Sequence, residues 1–177
     1  MYESPHIKHR HGAPKHVKFA LITVSTSRYY AKKRNENIED VSYQVAQSLI
    51  REKGYSITIY KIVPDNSREI LKTITEILER DDVDVIITMG GTGPAPSDIT
   101  IETLRPLFEK ELEGFGQIFR LLSYQEIGSA AFLSNATAGI VSGKLIFCLP
   151  GSPGAAKLAF EKLILPEVGH ILALMRS

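Results

Sequence analysis

The stretch that decides the fold is Asp84-Val85-Ile86-Ile87-Thr88-Met89-Gly90-Gly91-Thr92-Gly93, with Asp98 a few residues further on, before a helical pattern opens at Thr100. Its run of β-branched residues predicts a strand that is buried on both faces, as in a parallel sheet. A glycine loop between such a strand and a helix leaves backbone N–H groups free to bind an anion. The alternative is a tight turn that binds nothing. A second glycine loop near the C-terminus, at residues 150–154, favours the interpretation that the loops bind a ligand.

The composition is that of a globular protein with one domain. The chain has 177 residues, of which 44% are hydrophobic, and a formal net charge of +1. We therefore expect a substantial core and no nucleic-acid partner. No apolar run approaches the roughly 20 residues that span a bilayer, so we expect no membrane association and a cytoplasmic location. The single cysteine, Cys148, lies in an apolar run and is expected to be a buried thiol rather than a nucleophile.

The N-terminal segment 1–16 lacks apolar periodicity and contains two prolines and four of the five histidines. We interpret it as a flexible arm that precedes a single domain over residues 17–177. The segment has no apolar stretch of the kind that a secretory signal needs. Two alternatives are an arm that packs on a neighbouring subunit and a metal site at His9 and His11.

Strand and helix patterns alternate along the rest of the chain. The order strand, helix, strand, helix, strand over residues 17–93 predicts parallel βαβ units. We therefore predict an α/β fold with three layers, in which a doubly wound, mainly parallel sheet is flanked by helices. A small β-hairpin is predicted at Ser142-Gly143.

The sequence also predicts several local details. Residues 29–37 are polar and are expected to form a mobile segment. Ser67 and Thr100 are predicted to cap the helices that they begin. Pro106 is expected to shorten or kink its helix, and Pro166 is expected to separate two C-terminal helices.

Ligands of a doubly wound sheet collect in the crevice beyond the carboxyl ends of its strands. The segments predicted to reach that edge are 25–28, 64–65, 90–98 and 150–154. The two glycine loops would offer N–H groups to two anions, and Asp65 and Asp98 would add carboxylates that suit Mg²⁺ beside phosphates. The alternative for each acid is a turn or cap residue. We infer a nucleotide and a second phosphorylated ligand.

Other phosphate and catalytic motifs are incomplete. A P-loop needs a lysine after its last glycine, and none follows Gly93. The dinucleotide-binding pattern lacks its third glycine. The serines near the predicted crevice have no histidine nearby in sequence, so a serine–histidine triad has no support. The residues alone lead to a phosphate-rich site for a small molecule.

From Val17 to Leu174, the chain resembles the MoaB/MogA family of molybdopterin-binding proteins. The matching residues are Val24-Ser25 with Arg28, Val63-Pro64-Asp65, Gly90-Gly91-Thr92-Gly93, Asp98-Ile99-Thr100, Glu113-Gly114-Phe115, Ser123 with Ile127-Gly128, and Leu149-Pro150-Gly151-Ser152-Pro153. The resemblance implies a protein of molybdenum or tungsten cofactor biosynthesis that binds molybdopterin. It also implies transfer of adenylate from Mg-ATP to the terminal phosphate of molybdopterin, with release of pyrophosphate. The implied partners are other cofactor-biosynthesis enzymes and further copies of the chain, in a trimer or hexamer.

The resemblance also implies which residues form the site. Asp98 and Asp65 would be the catalytic acids and would hold or orient Mg²⁺ and the triphosphate. The residues expected to bind substrate are Ser25, Ser27, Arg28, Gly90, Gly91, Thr92, Gly93, Thr100, Ser134, Pro150, Gly151, Ser152 and Pro153. The apolar C-terminal helix and the helix around residues 115–122 are candidates for subunit contacts, and the alternative role for most of their apolar residues is core packing.

Three positions depart from the family pattern. Tyr43 stands where the family usually has glycine, and Ser97 and Asn135 stand where it usually has arginine. A tyrosine is expected to block close approach of the backbone to a ligand, and each lost arginine removes a bidentate phosphate partner. A second interpretation is therefore a family member that binds pterin or nucleotide and acts as a scaffold without catalysis. A nucleic-acid module is a third, which the near-neutral charge opposes.

Overall fold

The computed structural model describes residues 14–176, so the interpretations of residues 1–13 lie outside it. The strands are β1 (Lys18–Val24), β2 (Ser56–Val63), β3 (Val85–Met89), β4 (Lys110–Glu111), β5 (Thr137–Val141) and β6 (Lys144–Leu149). The α-helices are α1 (Thr26–Lys33), α2 (Val41–Glu52), α3 (Ser67–Leu78), α4 (Thr100–Leu104), α5 (Glu113–Ile127), α6 (Pro153–Ala159) and α7 (Leu165–Met175). Short 3-10 helices follow α4 and α5, at Arg105–Leu107 and Gly128–Leu133.

The strands form one sheet in the order β2-β1-β3-β6-β5-β4. The first four strands in this order are parallel, and β5 and β4 run antiparallel to their neighbours. Ser142-Gly143 joins β5 to β6 as the predicted hairpin. The predicted α/β class with a mainly parallel, doubly wound sheet is confirmed. The two-residue strand β4 was not predicted.

Each face of the sheet has its own core, which makes the fold three-layered. On one face, α2, α5 and the C-terminal helices pack side chains such as Ile50, Phe119 and Phe160 on the sheet. On the other face, α3 and α4 contribute Ile70 and Leu104. All five residues of β3 are buried, as expected for a central parallel strand. Within residues 14–176, every helix falls short of the length and apolar character that a bilayer span requires.

The polar segment 29–37, which is expected to be mobile, begins within a helix that sequence patterns did not predict. Helix α1 begins at Thr26 because the Ser25 side chain accepts the backbone N–H of Arg28 at 3.4 Å and caps the helix. The helix then runs to Lys33 without burying a single side chain. Hydrophobic periodicity therefore gave no sign of it.

Three predictions about helix ends are wrong. Asn66, not Ser67, caps α3, since its side chain accepts a backbone N–H at 3.2 Å. Thr100 is not a cap, because its hydroxyl donates to the carbonyl of Gly90 at 2.9 Å. Pro166 does not separate two helices. It lies at the start of α7, and the π-helical turn Phe160–Ile164 joins α6 to α7, so the helical chain continues through Pro166.

Candidate active site

The segments predicted to form the crevice meet at the carboxyl edge of the parallel strands. Asp65, after β2, accepts hydrogen bonds from the backbone N–H and the hydroxyl of Thr26, after β1, both at 2.8 Å. The N–H of Gly90, after β3, donates to the carbonyl of Leu149 at 2.9 Å. The second glycine loop follows directly from Leu149. All four segments are therefore neighbours in space.

The two glycine loops touch through their backbones. Gly90 has φ +112°, and a Cβ atom there would lie 2.3 Å from the carbonyl oxygen of Val24. A Cβ atom at Gly151 would lie 3.2 Å from the Cα of Gly90. Side chains are excluded at this contact, so backbone lines the crevice at this point. Backbone N–H groups presented in this way suit an anionic ligand.

Thr100 supports the first glycine loop from beneath. It is fully buried, its hydroxyl donates to the carbonyl of Gly90 at 2.9 Å, and its N–H donates to the carbonyl of Gly91 at 2.8 Å. Thr92 is buried as well. Both threonines, which the family resemblance assigns to substrate binding, thus lie within the wall of the crevice. The two hydrogen bonds of Thr100 hold the loop in shape.

The carboxylates of Asp65 and Asp98 lie at the two ends of the first glycine loop. A Cβ atom at Gly91 would lie 3.3 Å from Oδ1 of Asp65, and one at Gly93 would lie 2.7 Å from Oδ2 of Asp98. Oδ2 of Asp98 accepts the N–H of Ala95 at 3.0 Å. No hydrogen bond from residues 14–176 reaches Oδ1 of either aspartate. Each carboxylate thus retains one oxygen for a ligand.

The segment after β1 contributes hydroxyls and one cation. The Oγ atoms of Ser25 and Ser27 are 3.2 Å apart. Arg28 is half-buried, and its charge helps to lower the pKa of the neighbouring Asp40. Arg28 is the one positively charged residue among the predicted site residues.

Ser134 and Ser152, which are far apart in sequence, line one small cavity of about 100 Å³ beside the second glycine loop. The same cavity is lined by Ser123 and Glu126 of α5. The site prediction omitted these two residues. Ser123 carries part of the family resemblance, and Glu126 follows it by one helical turn, so the matching positions could have pointed to both.

Asp40, at the start of α2, is buried next to the crevice and was not predicted to have a role. Its Oδ2 accepts the hydroxyls of Thr23 at 2.6 Å and Tyr60 at 2.7 Å, and its Oδ1 accepts the N–H of Tyr43 at 3.1 Å. Burial opposes the charge on Asp40, but these hydrogen bonds and Arg28 outweigh it, so the pKa of Asp40 lies below its ordinary value. Burial and the bond to Asp40 raise the pKa of Tyr60.

Tyr43, which stands where the family usually has glycine, packs its side chain against β2. The Tyr43 ring stacks on Tyr60, with ring centroids 3.8 Å apart, and its hydroxyl accepts a hydrogen bond from Gln47 at 2.6 Å. The contact with the second glycine loop comes from the preceding residue, Ser42, whose hydroxyl donates to the carbonyl of Gly151 at 2.7 Å. Sequence reasoning gave Ser42 no role.

Cys148 takes no part in the crevice. It is fully buried in β6, and burial raises the pKa of its thiol to about 12. The thiol is therefore protonated at neutral pH and unreactive as a nucleophile. The prediction of a buried structural cysteine is confirmed.

Fold and crevice together define the class of protein. It is a doubly wound α/β protein in which two glycine loops and two carboxylates meet at the carboxyl edge of the sheet, a donor set that suits phosphorylated ligands. The family model described as "Probable molybdopterin binding domain" matches residues 20–170. The chain belongs to this family, which confirms the resemblance seen in its sequence.

Individual relatives match over almost their whole length. Molybdenum cofactor biosynthesis protein B of Bacillus anthracis is 42% identical over 165 residues, which are 93% of this chain and 94% of the relative. A protein of Methanocaldococcus jannaschii named "Probable molybdopterin adenylyltransferase" is 43% identical over 94% of this chain and 99% of its own. The solved structure of the tungsten cofactor synthesizing protein MoaB from Pyrococcus furiosus superposes with a TM-score of 0.81, at 42% identity, and covers 93% of this chain and 100% of its own.

Proposed function

We propose that this chain acts in molybdenum or tungsten cofactor biosynthesis by adenylylating molybdopterin. In this reaction, a terminal phosphate oxygen of molybdopterin bonds to the α-phosphorus of ATP, and the bond from that phosphorus to the leaving pyrophosphate breaks. The observation that carries the proposal is the meeting of both glycine loops with Asp65 and Asp98 in one crevice. Relatives named for this pathway and this activity support it.

The first glycine loop is the proposed phosphate cradle. Its backbone is held by Thr100 from beneath and packed against Gly151, so its N–H groups keep a fixed arrangement. Fixed donors around a transferring phosphoryl group stabilise the charge that develops in the transition state without reorganising. Arg28 adds a positive charge on the β1 side of the crevice, and Ser25 and Ser27 add hydroxyl groups there.

Asp65 and Asp98 fit a magnesium site that the substrate completes. Among residues 14–176, no group of three or more histidine, cysteine or acidic side chains is placed to hold a metal alone. Mg²⁺ usually takes one or two carboxylates and fills its other positions with phosphate oxygens and water. Oδ1 of each aspartate is available for this purpose. When bound, Mg²⁺ would neutralise phosphate charge, and the two aspartates would fix where it sits along the loop.

The cavity of about 100 Å³ beside the second glycine loop is the proposed place for part of the pterin. Ser123, Ser134 and Ser152 offer hydroxyl groups, and Glu126 offers a carboxylate that can accept hydrogen bonds from ring N–H groups. Leu158 adds an apolar wall. This mixture suits a flat heterocycle that carries many donors and acceptors.

Turnover by the purified chain with molybdopterin and Mg-ATP tests the proposal directly. We expect adenylylated pterin and pyrophosphate in equal amounts. Asp98→Asn removes one carboxylate charge from the crevice and should lower the rate by about 100-fold or more. Asp81→Asn is the matched control, because Asp81 is exposed and distant in the fold from the crevice. Equal rates for the two variants, or no product from the wild type, would contradict the proposal.

A second candidate function is a pterin- or nucleotide-binding scaffold without catalysis. The absence of arginine at Ser97 and Asn135 favours it, since both positions lie next to crevice residues. Calorimetry with molybdopterin and ATP separates the two functions. Tight binding of either ligand without turnover supports the scaffold, whereas binding together with product formation supports the enzyme.

We also propose that the chain forms a homo-oligomer through an apolar face on α5 and the 3-10 helix that follows it. Six exposed large apolar side chains lie on these two elements: Ile118, Leu121, Tyr124, Ile127, Phe132 and Leu133. Leu121 is 59% exposed, Tyr124 62% and Phe132 74%. A groove of about 370 Å³ runs between the two elements, lined almost entirely by apolar groups. Contiguous apolar surface of this kind usually marks a protein interface.

The C-terminal helix, the other expected contact, is mostly buried within the chain, since Leu165, Val168 and Leu172 lie in the core. Light scattering tests the α5 face. Leu121→Glu should dissociate the oligomer, whereas Thr75→Glu, at an exposed position of α3 on the other face of the sheet, should not. A monomeric wild type, or an oligomer that survives Leu121→Glu, would refute this interface. A cytoplasmic location and contact with other enzymes of the pathway complete the proposal.

A further inference from the structure

The first turn of α2 connects parts of the crevice that are far apart in sequence. Oδ2 of Asp40 accepts the hydroxyl of Thr23, one residue before the end of β1, at 2.6 Å. The same oxygen accepts the hydroxyl of Tyr60, in the middle of β2, at 2.7 Å. The side chain of Asp40 also caps α2 through the N–H of Tyr43. The start of α2 is thus fixed to both strands that lead into the crevice.

Ser42 extends this connection to the second glycine loop. Its side chain is almost completely buried, with the residue 2% exposed, and its hydroxyl donates to the carbonyl of Gly151 at 2.7 Å. Residues 151–154 are exposed on their other side, so this hydrogen bond holds the loop from within. Gly151 in turn packs on Gly90 of the first loop. A hydrogen bond from α2 thus reaches the residue of the second loop that packs on the first.

We propose that Asp40 and Ser42 are positioning residues of the crevice, which set the second glycine loop against the first. Asp40 fixes the start of α2 to β1 and β2, and Ser42 on the same turn holds Gly151 through its hydrogen bond. Neither side chain has to touch a ligand. The proposal rests on the proposed function, in which groups bound at the two loops must approach each other closely enough to react. A displacement of about 1 Å is enough to slow such a reaction by about 100-fold.

Ser42→Ala tests the proposal, with Ser48→Ala as the matched control on the same helix. Ser48 is exposed, and its hydroxyl bonds only to Glu52 among residues 14–176, at 2.7 Å. Three properties are measured for both variants: the thermal midpoint, the hydrogen exchange of the amides of Gly151, Ser152 and Gly154, and the kinetic constants kcat and KM for both substrates. Asp40→Asn serves as a second variant, because it weakens the hydrogen bonds from Thr23 and Tyr60 that fix the start of α2 and leaves the Ser42 hydroxyl in place.

In Ser42→Ala we expect faster exchange at 150–154 than in the control, and a kcat/KM lower by on the order of tenfold. Asp40→Asn should change both quantities in the same direction. Exchange and kinetics equal to those of Ser48→Ala would overturn the proposal, as would faster exchange with unchanged kinetics. The exchange measurement needs no substrate. If the wild type transfers no adenylate, the proposed function fails, and exchange at 150–154 still decides whether Ser42 holds the loop.

Discussion

Gly90→Ala should destabilise the fold much more than an ordinary glycine replacement, because two costs coincide at this position. The backbone has φ +112°, and an L side chain there costs about 1–3 kcal/mol. The new Cβ would also lie 2.3 Å from the carbonyl oxygen of Val24. This neighbour is backbone of a central strand, and relieving the overlap should cost about 1–3 kcal/mol more. The sum is about 4 kcal/mol, a large part of the roughly 5–15 kcal/mol that stabilises a typical domain.

Replacements at two other glycines measure the cost of the positive φ separately from the cost of the steric overlap. Gly54 has φ +79° with nothing within 4 Å of its Cβ position, so Gly54→Ala should cost only about 1–2 kcal/mol. Gly114 lies in the first turn of α5, also with open space, and Gly114→Ala should be neutral or stabilising by up to about 1 kcal/mol. Urea unfolding followed by circular dichroism gives the three free energies.

The result that would refute this reasoning is a Gly90→Ala variant no less stable than Gly54→Ala. The close contact with Val24 would then not constrain the loop, and Gly90 would be required only for its backbone angles. A second consequence concerns the ligand. If Gly90→Ala folds at low temperature, its displaced loop should bind ATP at least tenfold more weakly than the wild type, as measured by calorimetry.

Three further predictions concern single side chains. Asp40→Asn should cost about 1.5–3 kcal/mol at neutral pH, by weakening the bonds from Thr23 and Tyr60. Because the pKa of Asp40 is lowered in the fold, this loss is full above about pH 4 and shrinks as pH falls through that lowered pKa, which urea titrations at several pH values would detect. Cys148 should resist maleimide in the folded chain and react at the rate of unfolding, and rapid labelling would contradict its burial. Ser97→Arg should tighten ATP binding by about tenfold in calorimetry, and unchanged affinity would exclude a phosphate role for that position.

The parts of the fold that sequence could predict are those with a strong local pattern. All residues of β3 are buried, and Ile70, Ile74 and Ile77 recur at helical spacing on the buried side of α3. Helix α1 has no such pattern, since it buries no side chain and depends on the cap at Ser25. Strand β4 has two residues and exists only because β5 lies beside it. Tertiary context decides both of these elements.

In the site, too, some features could be predicted from the sequence and others could not. Parallel strands that alternate with helices must end at one edge, so the meeting of Asp65 with the first glycine loop followed from topology. The hydrogen bond from Ser42 to Gly151 joins residues separated by 109 positions, and nothing near either residue indicates it. The two hydroxyls on Asp40 likewise come from different strands. The sequence thus predicted which segments form the crevice, while the contacts that fix their spacing required the structure.

We expect the serine at position 97 to affect ligand affinity more than it affects the geometry of the proposed site. Asp98 is held by its own turn, since its Oδ2 accepts the N–H of Ala95 at 3.0 Å and its N–H donates to the carbonyl of Ala95 at 2.8 Å. Neither bond involves the side chain of Ser97, which is exposed. A serine there would lack the phosphate contact that the resemblance implies for arginine, but the carboxylate of Asp98 stays beside Gly93. A loss of binding that is equal in ground state and transition state raises KM and leaves kcat unchanged. The departure from the family pattern is therefore compatible with an active adenylyltransferase that works at higher ATP concentrations.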